Sequence, residues 1–365
     1  MIDWTKPQSE EFIEKYAACL NENSWACISI WQKLSEEFID RHADKLNWFY
    51  ISCKQRLSEK LIEKHKDKVD WVCISGQQKL SEDFIRRHAT DVDWSRICNH
   101  QILSEEFIEE FVDRIPNAGV WVLISWGQKL SEAFIERHKD DLDWCSICMY
   151  QKLSEDFIRK YSDRIIWQGL FTCQKLSLDF LDKYFSGASW LPFDTICTAE
   201  ICKYQELSES FIERHADKVN WSVVGEYQKL SPAFREKHNI AMPNDNWLYK
   251  STAFKKKAVQ KTGLYECYDD YFIAYKGIRR DRYSLYNFQY KYENGGVYES
   301  TADHTRSEGS FGLSAWTEEE AASYTRSVAG YAQGIVVRVK IYYKDVARVV
   351  QEGGKIRATK IEVLD

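Results

Sequence analysis

One motif recurs along most of this chain and dictates what it can fold into. Lys33-Leu34-Ser35-Glu36-Glu37-Phe38-Ile39-Asp40-Arg41-His42, with Trp48 and Gln55 behind it, returns as Leu57-Ser58 through His65 with Trp71, and onward to Leu230-Ser231 through His238. Aligned on the serine there are ten copies, at Ser9, Ser35, Ser58, Ser81, Ser104, Ser131, Ser154, Ser177, Ser208 and Ser231, and six of the nine steps between them are 23 residues. A period of this size marks units that must stack on their neighbours to close a core. The expected fold is therefore an α-solenoid of about ten 23-residue helical-hairpin repeats over residues 1–240. A connecting segment, 241–264, and a small α+β domain, 265–365, follow.

Within a repeat the serine suits a helix N-cap, because its hydroxyl can accept from an orphan amide. Glu36 and Glu37 then fall in the first turn, where the macrodipole favours negative charge. In the last copy Pro232 follows Ser231, on the first helical position, where its missing N–H costs nothing. Phe38, His42 and Leu46 stack at four-residue spacing beside Ile39, which predicts a first helix of about three turns. Asn47, Asp70, Asp93, Asp143 and Asn220 each precede the repeat tryptophan and suggest a second N-cap. The stretch behind them is short enough to be either a second helix or an extended segment.

The remaining rows of the repeat read as structure. Six of the eight histidines share one position, and Tyr16, Phe111, Tyr161 and Tyr184 replace them in other copies, so the position selects a flat, half-buried ring. The tryptophans from Trp25 to Trp221 recur as inter-repeat packing demands. Cys145-Ser146-Ile147-Cys148 matches a redox or zinc half-motif, but Cys27 and Cys73 share the phase of Cys145 and Cys98 that of Cys148, which makes the pair two small repeat positions. Rows such as Glu36, Asp40 and Lys45 read as a solvated face. Repeat eight extends the Trp190-to-Gln205 distance to 15 residues instead of 7. Solenoid insertions map to one face, so Leu191 to Lys203 is either a partner-contact loop or a tolerated surface loop.

Composition narrows the class. The chain is 44% hydrophobic and 15% aromatic, enough for a large core, and carries no apolar run of membrane-spanning length. The start, Met1-Ile2-Asp3-Trp4, lacks the pattern of a signal peptide, so a cytoplasmic setting with reduced thiols is expected for the eleven cysteines. From Lys250 onward 19 basic face 15 acidic residues, against 31 and 41 before it. The acidic array argues against generic nucleic-acid binding and points to a protein partner; the mildly basic C-terminal part leaves nucleic acid open.

After His238 the repeat fails. Trp247 to Leu264, with Lys255-Lys256-Lys257, reads as a basic connecting helix stopped at Gly263, its lysines either solvated or docked on the acidic array. Tyr271–Tyr275, Tyr286–Tyr292, Val297–Ser300 and Phe311–Trp316 alternate like strands, with Asn294-Gly295-Gly296 as a tight turn. Thr317-Glu318-Glu319-Glu320 is a capping box opening a helix to about Ala329. Gly334–Tyr343 and Lys355–Leu364 close the domain as two strands.

The repeats resemble short helical repeats of phage, giant-virus and bacterial proteins. Tyr275-Lys276-Gly277, then Gly312-Leu313-Ser314-Ala315-Trp316, then Lys355-Ile356-Arg357-Ala358-Thr359-Lys360-Ile361 resemble a family of uncharacterised small phage and bacterial domains. The same order is similar, more loosely, to ADP-ribosyltransferases of the poly-ADP-ribose polymerase class. That likeness implies NAD as cofactor, held around Tyr275, Lys276, Gly277 and Ser314. Lys276 takes the ribose-contact place, Tyr324 the nicotinamide-stacking place, and Arg279 or Arg280 reaches the pyrophosphate. Leu313 stands where the class has a tyrosine. Arg357 or Thr359 stands where it has its catalytic glutamate, leaving Glu299, Glu308 or Glu362 as substitutes. His304, in a polar loop with Asp303 and Arg306, is a further candidate for the site edge. The implied function is a division of labour: the array selects a macromolecular partner and the C-terminal domain modifies it by NAD-dependent ADP-ribosyl transfer. The alternative is a non-enzymatic interaction or decoy protein whose C-terminal domain binds a partner or a nucleotide ligand.

Overall fold

The computed structural model describes residues 2–112, 118–188, 195–242, 246–285, 288–305, 307, 311–328, 334–350, 352 and 354–364, the side chains of 118, 195–196 and 326–328 excepted. The chain forms two compact units, one built on Met1–Gln128 and the other on Lys129–Val328 with Gly334–Asp365.

The first unit holds repeats one to five. Ser35 caps Glu36–Arg41 by accepting from the Phe38 amide at 3.2 Å. That helix has six residues and not three turns: at His42 the backbone leaves the helical region, and the His42 carbonyl takes the Lys45 and Leu46 amides to close a turn. The second element is helical in each of these repeats. Asp70 caps Trp71–Gln77 through the Cys73 amide at 2.8 Å. Phe38, Ile39, Leu46, Trp48 and Ile51 are buried, and the histidine ring lies between the aromatic rings of two repeats, His42 being 5.0 Å from Trp25 and 4.6 Å from Phe38. The tryptophan row is packed throughout, Trp25 and Trp48 buried, Trp71 and Trp94 half-buried; Trp190 lies outside the described residues.

Three ladders of polar contacts join the repeats. Buried Gln78 donates to the carbonyls of Ser52 at 2.9 Å and Gln55 at 2.8 Å, and accepts from the Leu57 amide at 3.0 Å. Gln55 and Gln101 do the same one repeat earlier and later. The Ser52 hydroxyl accepts from the Asp70 amide at 3.0 Å. Glu36 grips the next serine, Ser58, through its amide at 2.5 Å and hydroxyl at 2.7 Å, while Asp40 meets His65 at 2.8 Å and Lys64 at 2.7 Å. The acidic rows are thus mortar between repeats, which corrects the solvated-face expectation for Glu36 and Asp40.

One pair also departs from the reduced-thiol expectation. Cys53 and Cys73, on the second helices of adjacent repeats with Cα atoms 5.0 Å apart, form a disulfide. Cys148 fills the serine-ladder position and accepts from the Ile166 amide at 3.3 Å. Burial pushes its thiol, and that of Cys98, up to about 12, which suits packing and not nucleophilic chemistry.

The carboxylates of this ladder predict acid sensitivity. Hydrogen bonds from His42, Lys64 and His88 hold Glu14, Asp40 and Glu63 below their usual range. A lowered folded value stabilises above the unfolded value, about 4 for carboxylates, and that stability is lost as pH falls through the lower folded value. Thermal melts of the full chain should therefore drop in midpoint below about pH 4, and the asparagine and glutamine variants of these three residues should flatten that drop.

The second unit begins with the later repeats, where Glu132, Glu155 and Glu209 grip Ser154, Ser177 and Ser231 as Glu36 grips Ser58. Tyr249 ends the glutamine ladder: its hydroxyl accepts from Leu230 at 3.0 Å and donates to the Gln228 carbonyl at 2.9 Å. The connecting helix spans Thr252–Thr262 and stops at Gly263, whose φ of 68° suits glycine. Lys255 and Lys256 dock on the sheet domain and not on the array, while Lys257 stays exposed, as a solvated face requires. Lys255 is buried, donates to the Lys344 carbonyl at 2.9 Å, and is pulled down to about 8 by burial.

The strands are β1 (Glu266–Cys267), β2 (Tyr271–Arg279), β3 (Val297–Glu299), β4 (Leu313–Trp316), β5 (Gly334–Tyr342), β6 (Val346–Val350), β7 (Lys355–Ala358) and β8 (Lys360–Val363). They form one antiparallel sheet in the order β3-β8-β5-β2-β4-β7-β6, with β1 paired to β2. The helix Glu318–Val328, its Glu320 amide 3.4 Å from the capping Thr317 hydroxyl, packs on β2 and β5. Three expectations need correction. Residues 288–292 form a loop with a single bridge, Tyr283 to Lys291, because the Phe288 amide goes to the Tyr150 carbonyl of the array at 3.0 Å instead of to a strand. β6 was not foreseen. Lys355–Leu364 is broken at Thr359, whose amide turns aside to the Asp345 carbonyl at 2.8 Å. Among the described residues no helix is long and apolar enough to cross a membrane.

Candidate functional site

Strand β2 carries a lysine where its alternation calls for an apolar residue. Phe272, Ala274 and Ile278 join the sheet-domain core, and Lys276 falls between them in the same phase. It is only 7% exposed. Its Nζ donates to the Ser314 carbonyl of β4 at 2.8 Å and stands 5.0 Å from the Tyr292 ring centroid and 5.7 Å from that of Trp316. Register places Trp316 opposite Lys355 on β7, and the Lys355 Nζ lies 5.5 Å from the same indole. Tyr324, on the helix above, tilts against Trp316 with centroids 4.6 Å apart. That helix comes close because of Gly277: a Cβ there would meet Thr325 Cγ2 at 2.5 Å and the Ala321 carbonyl at 3.1 Å.

These groups line a cleft of about 730 Å³ in the second unit. Its far wall comes from the array, at the ends of successive second helices: Tyr150, Cys173, Lys203 and Tyr204. The domain is seated there on helix-end carbonyls, Gln289 Nε2 on Cys173 at 2.7 Å and the Thr301 hydroxyl on Tyr204 at 2.9 Å. Four lysines line the cleft, Lys175, Lys203, Lys276 and Lys355, against one carboxylate among the described lining residues, Glu206, which pairs with Lys175 at 3.3 Å. Burial first, and then the charge of Lys355, pull the Lys276 amine down to about 7.

The residues named from sequence divide cleanly. Lys276, Gly277, Ser314 and Tyr324 meet in the cleft; Leu313 also lines it. Tyr275 lies on β2 opposite Trp316 and Arg338, outside the lining. Arg279 pairs with Asp281 at 3.2 Å and covers the Phe288 ring, and Arg280 is exposed. Glu299, the catalytic candidate on β3, is bound by Lys360 at 2.5 Å, which holds its carboxyl low. His304 is buried against the Glu226 carbonyl of the array at 3.2 Å. Arg357 is fully buried and donates to the Asp303 and Thr305 carbonyls at 2.9 and 3.2 Å and to that of Ser307. None of these three lines the cleft. Glu362 is engaged by Lys340 at 3.4 Å; Arg306 and Glu308 lie outside the described residues. The insertion at Leu191 to Lys203 is described from residue 195 on, and its last residue reaches the cleft.

Sequence reasoning missed Lys355, Trp316 and Tyr292. The signal for the first was present, since Lys355 opens the strand motif and falls opposite an aromatic residue once β4 and β7 pair.

No family model, curated protein or solved structure matches this chain.

Proposed function

We propose that this protein is a nucleotide-binding repeat protein: the cleft takes an anionic, ring-bearing ligand of the dinucleotide class, NAD being the first candidate, while the array engages a macromolecular partner. One observation carries the reading. Two buried lysines flank a tilted tryptophan–tyrosine pair in a cleft rich in cations. Four lysines against one carboxylate among the described lining residues give the cleft a positive field that favours an anion. Aromatic faces add stacking for a planar base. The volume suits a ligand of that size.

Calorimetry on the full chain with NAD, ADP-ribose and AMP tests this. Binding is expected, weakened roughly 10–100-fold by Lys276→Met through loss of a charge-assisted contact and also weakened by Tyr324→Ala. Absence of binding by all three nucleotides, or equal affinity in Lys276→Met, would remove the proposal.

A second reading, ADP-ribosyl transfer, rests on Glu206. Cleavage of the glycosidic bond needs a carboxylate near the developing oxocarbenium, and Glu206 brings one to the cleft from the array side. Labelled NAD incubated with lysate should then transfer label, and Glu206→Gln should abolish transfer while NAD binding persists. Nucleotide binding without any transfer leaves the first reading alone.

A further inference from the structure

We infer that Lys276 is an amine nucleophile, and that the cleft captures an anionic, ring-bearing aldehyde or ketone as a covalent imine. This goes beyond nucleotide binding, and its chemistry does not depend on the identity of the nucleotide.

The inference starts from where the amine sits. Among the described residues no carboxylate stands within ion-pair distance of Lys276; its neighbours are the Ser314 carbonyl and the faces of Tyr292 and Trp316. The side chain is only 7% exposed, and a second lysine, Lys355, shares the same indole. A desolvated lysine beside another cation holds its proton weakly, and the neutral amine is the form that attacks carbonyl carbon. The lowered proton affinity already noted for this amine points the same way. The cleft that Lys276 lines is wide enough for a ring-bearing reactant, and Lys355 and Lys203 line it too, supplying positive charge for the reactant's anionic group.

The step balances without a redox partner. The neutral amine adds to the carbonyl carbon, forming the C–N bond and a carbinolamine. The carbonyl oxygen then leaves as water, taking the two amine protons, and a C=N bond remains. Hydrolysis reverses it.

Pyridoxal 5′-phosphate, an aromatic aldehyde with a phosphate, is the probe. The full chain is treated with sub-stoichiometric probe at pH 7, reduced with cyanoborohydride, digested and mapped by mass spectrometry. Lys276 should be labelled at least about tenfold faster than the exposed Lys33 and Lys79. Pyridoxal without the phosphate should label Lys276 more slowly. Lys276→Met should lose that label while the surface labelling stays. Labelling of Lys276 no faster than of Lys33 overturns the nucleophile, and equal rates for the two aldehydes overturn the anionic half of the inference. The wild-type map decides the first point even if the variant fails to fold.

Discussion

Gln78→Leu is expected to loosen the array by roughly 3–6 kcal/mol, since three buried backbone groups each lose a partner at about 1–2 kcal/mol. The groups are the carbonyls of Ser52 and Gln55 and the amide of Leu57. Leucine fills the volume but satisfies none of them. The chain holds two compact units, so a single unfolding free energy is not well defined. Amide exchange read by mass spectrometry on the full chain is the cleaner measurement. Protection across repeats two to four should fall by about two to four powers of ten, at 1.4 kcal/mol for each. Gln77→Leu, one residue earlier and outside the ladder, should change stability by no more than about 0.5 kcal/mol. If the two variants behave alike, the glutamine row is not what ties the repeats.

That row also shows what the sequence discloses and what it hides. The serine cap, the apolar stripe and the tryptophan row were legible because every copy repeats the same local chemistry. The glutamine carries no local signal, as its acceptors stand 23 and 26 residues upstream; its recurrence at the repeat period was the available clue. Glu36 reads equally well as a helix-dipole residue, and only stacking reveals that it holds Ser58. In the sheet domain, alternation found β2, β4 and β5. It misread 288–292, where the same aromatic density serves a loop docked on helix-end carbonyls. The cleft was half legible. Lys276 and Tyr324 came from resemblance, whereas the meeting of Trp316 with Lys355 depends on β4–β7 register. Glu299, His304 and Arg357 stand outside the cleft lining, and each is engaged by a partner more than fifty residues away, Lys360, Glu226 and Asp303 respectively, which local sequence does not show.

Arg357 offers the sharpest separation of a structural from a catalytic role. Its guanidinium, held below its ordinary proton affinity by burial, spans the carbonyls of Asp303, Thr305 and Ser307 and lies 3.8 Å from the Asp303 carboxylate. The segment it holds leads directly into the cleft rim at Ser307, Phe311 and Gly312. Gly312, at a φ of 121°, has no room for a Cβ, which would meet Arg357 Cγ at 2.9 Å and Ala302 Cβ at 2.7 Å. Arg357→Met leaves a buried carboxylate short of its cation, a loss of about 3–5 kcal/mol. For a unit of this size that lowers Tm by roughly 6–20 °C. Arg357→Lys should fare little better, because a point charge cannot replace a fork across several carbonyls. Nucleotide affinity should fall with stability in both variants, as the rim loses its anchor. Retention of wild-type Tm in Arg357→Met, with loss of turnover alone, would instead return Arg357 to the chemistry and remove the anchor role assigned to it.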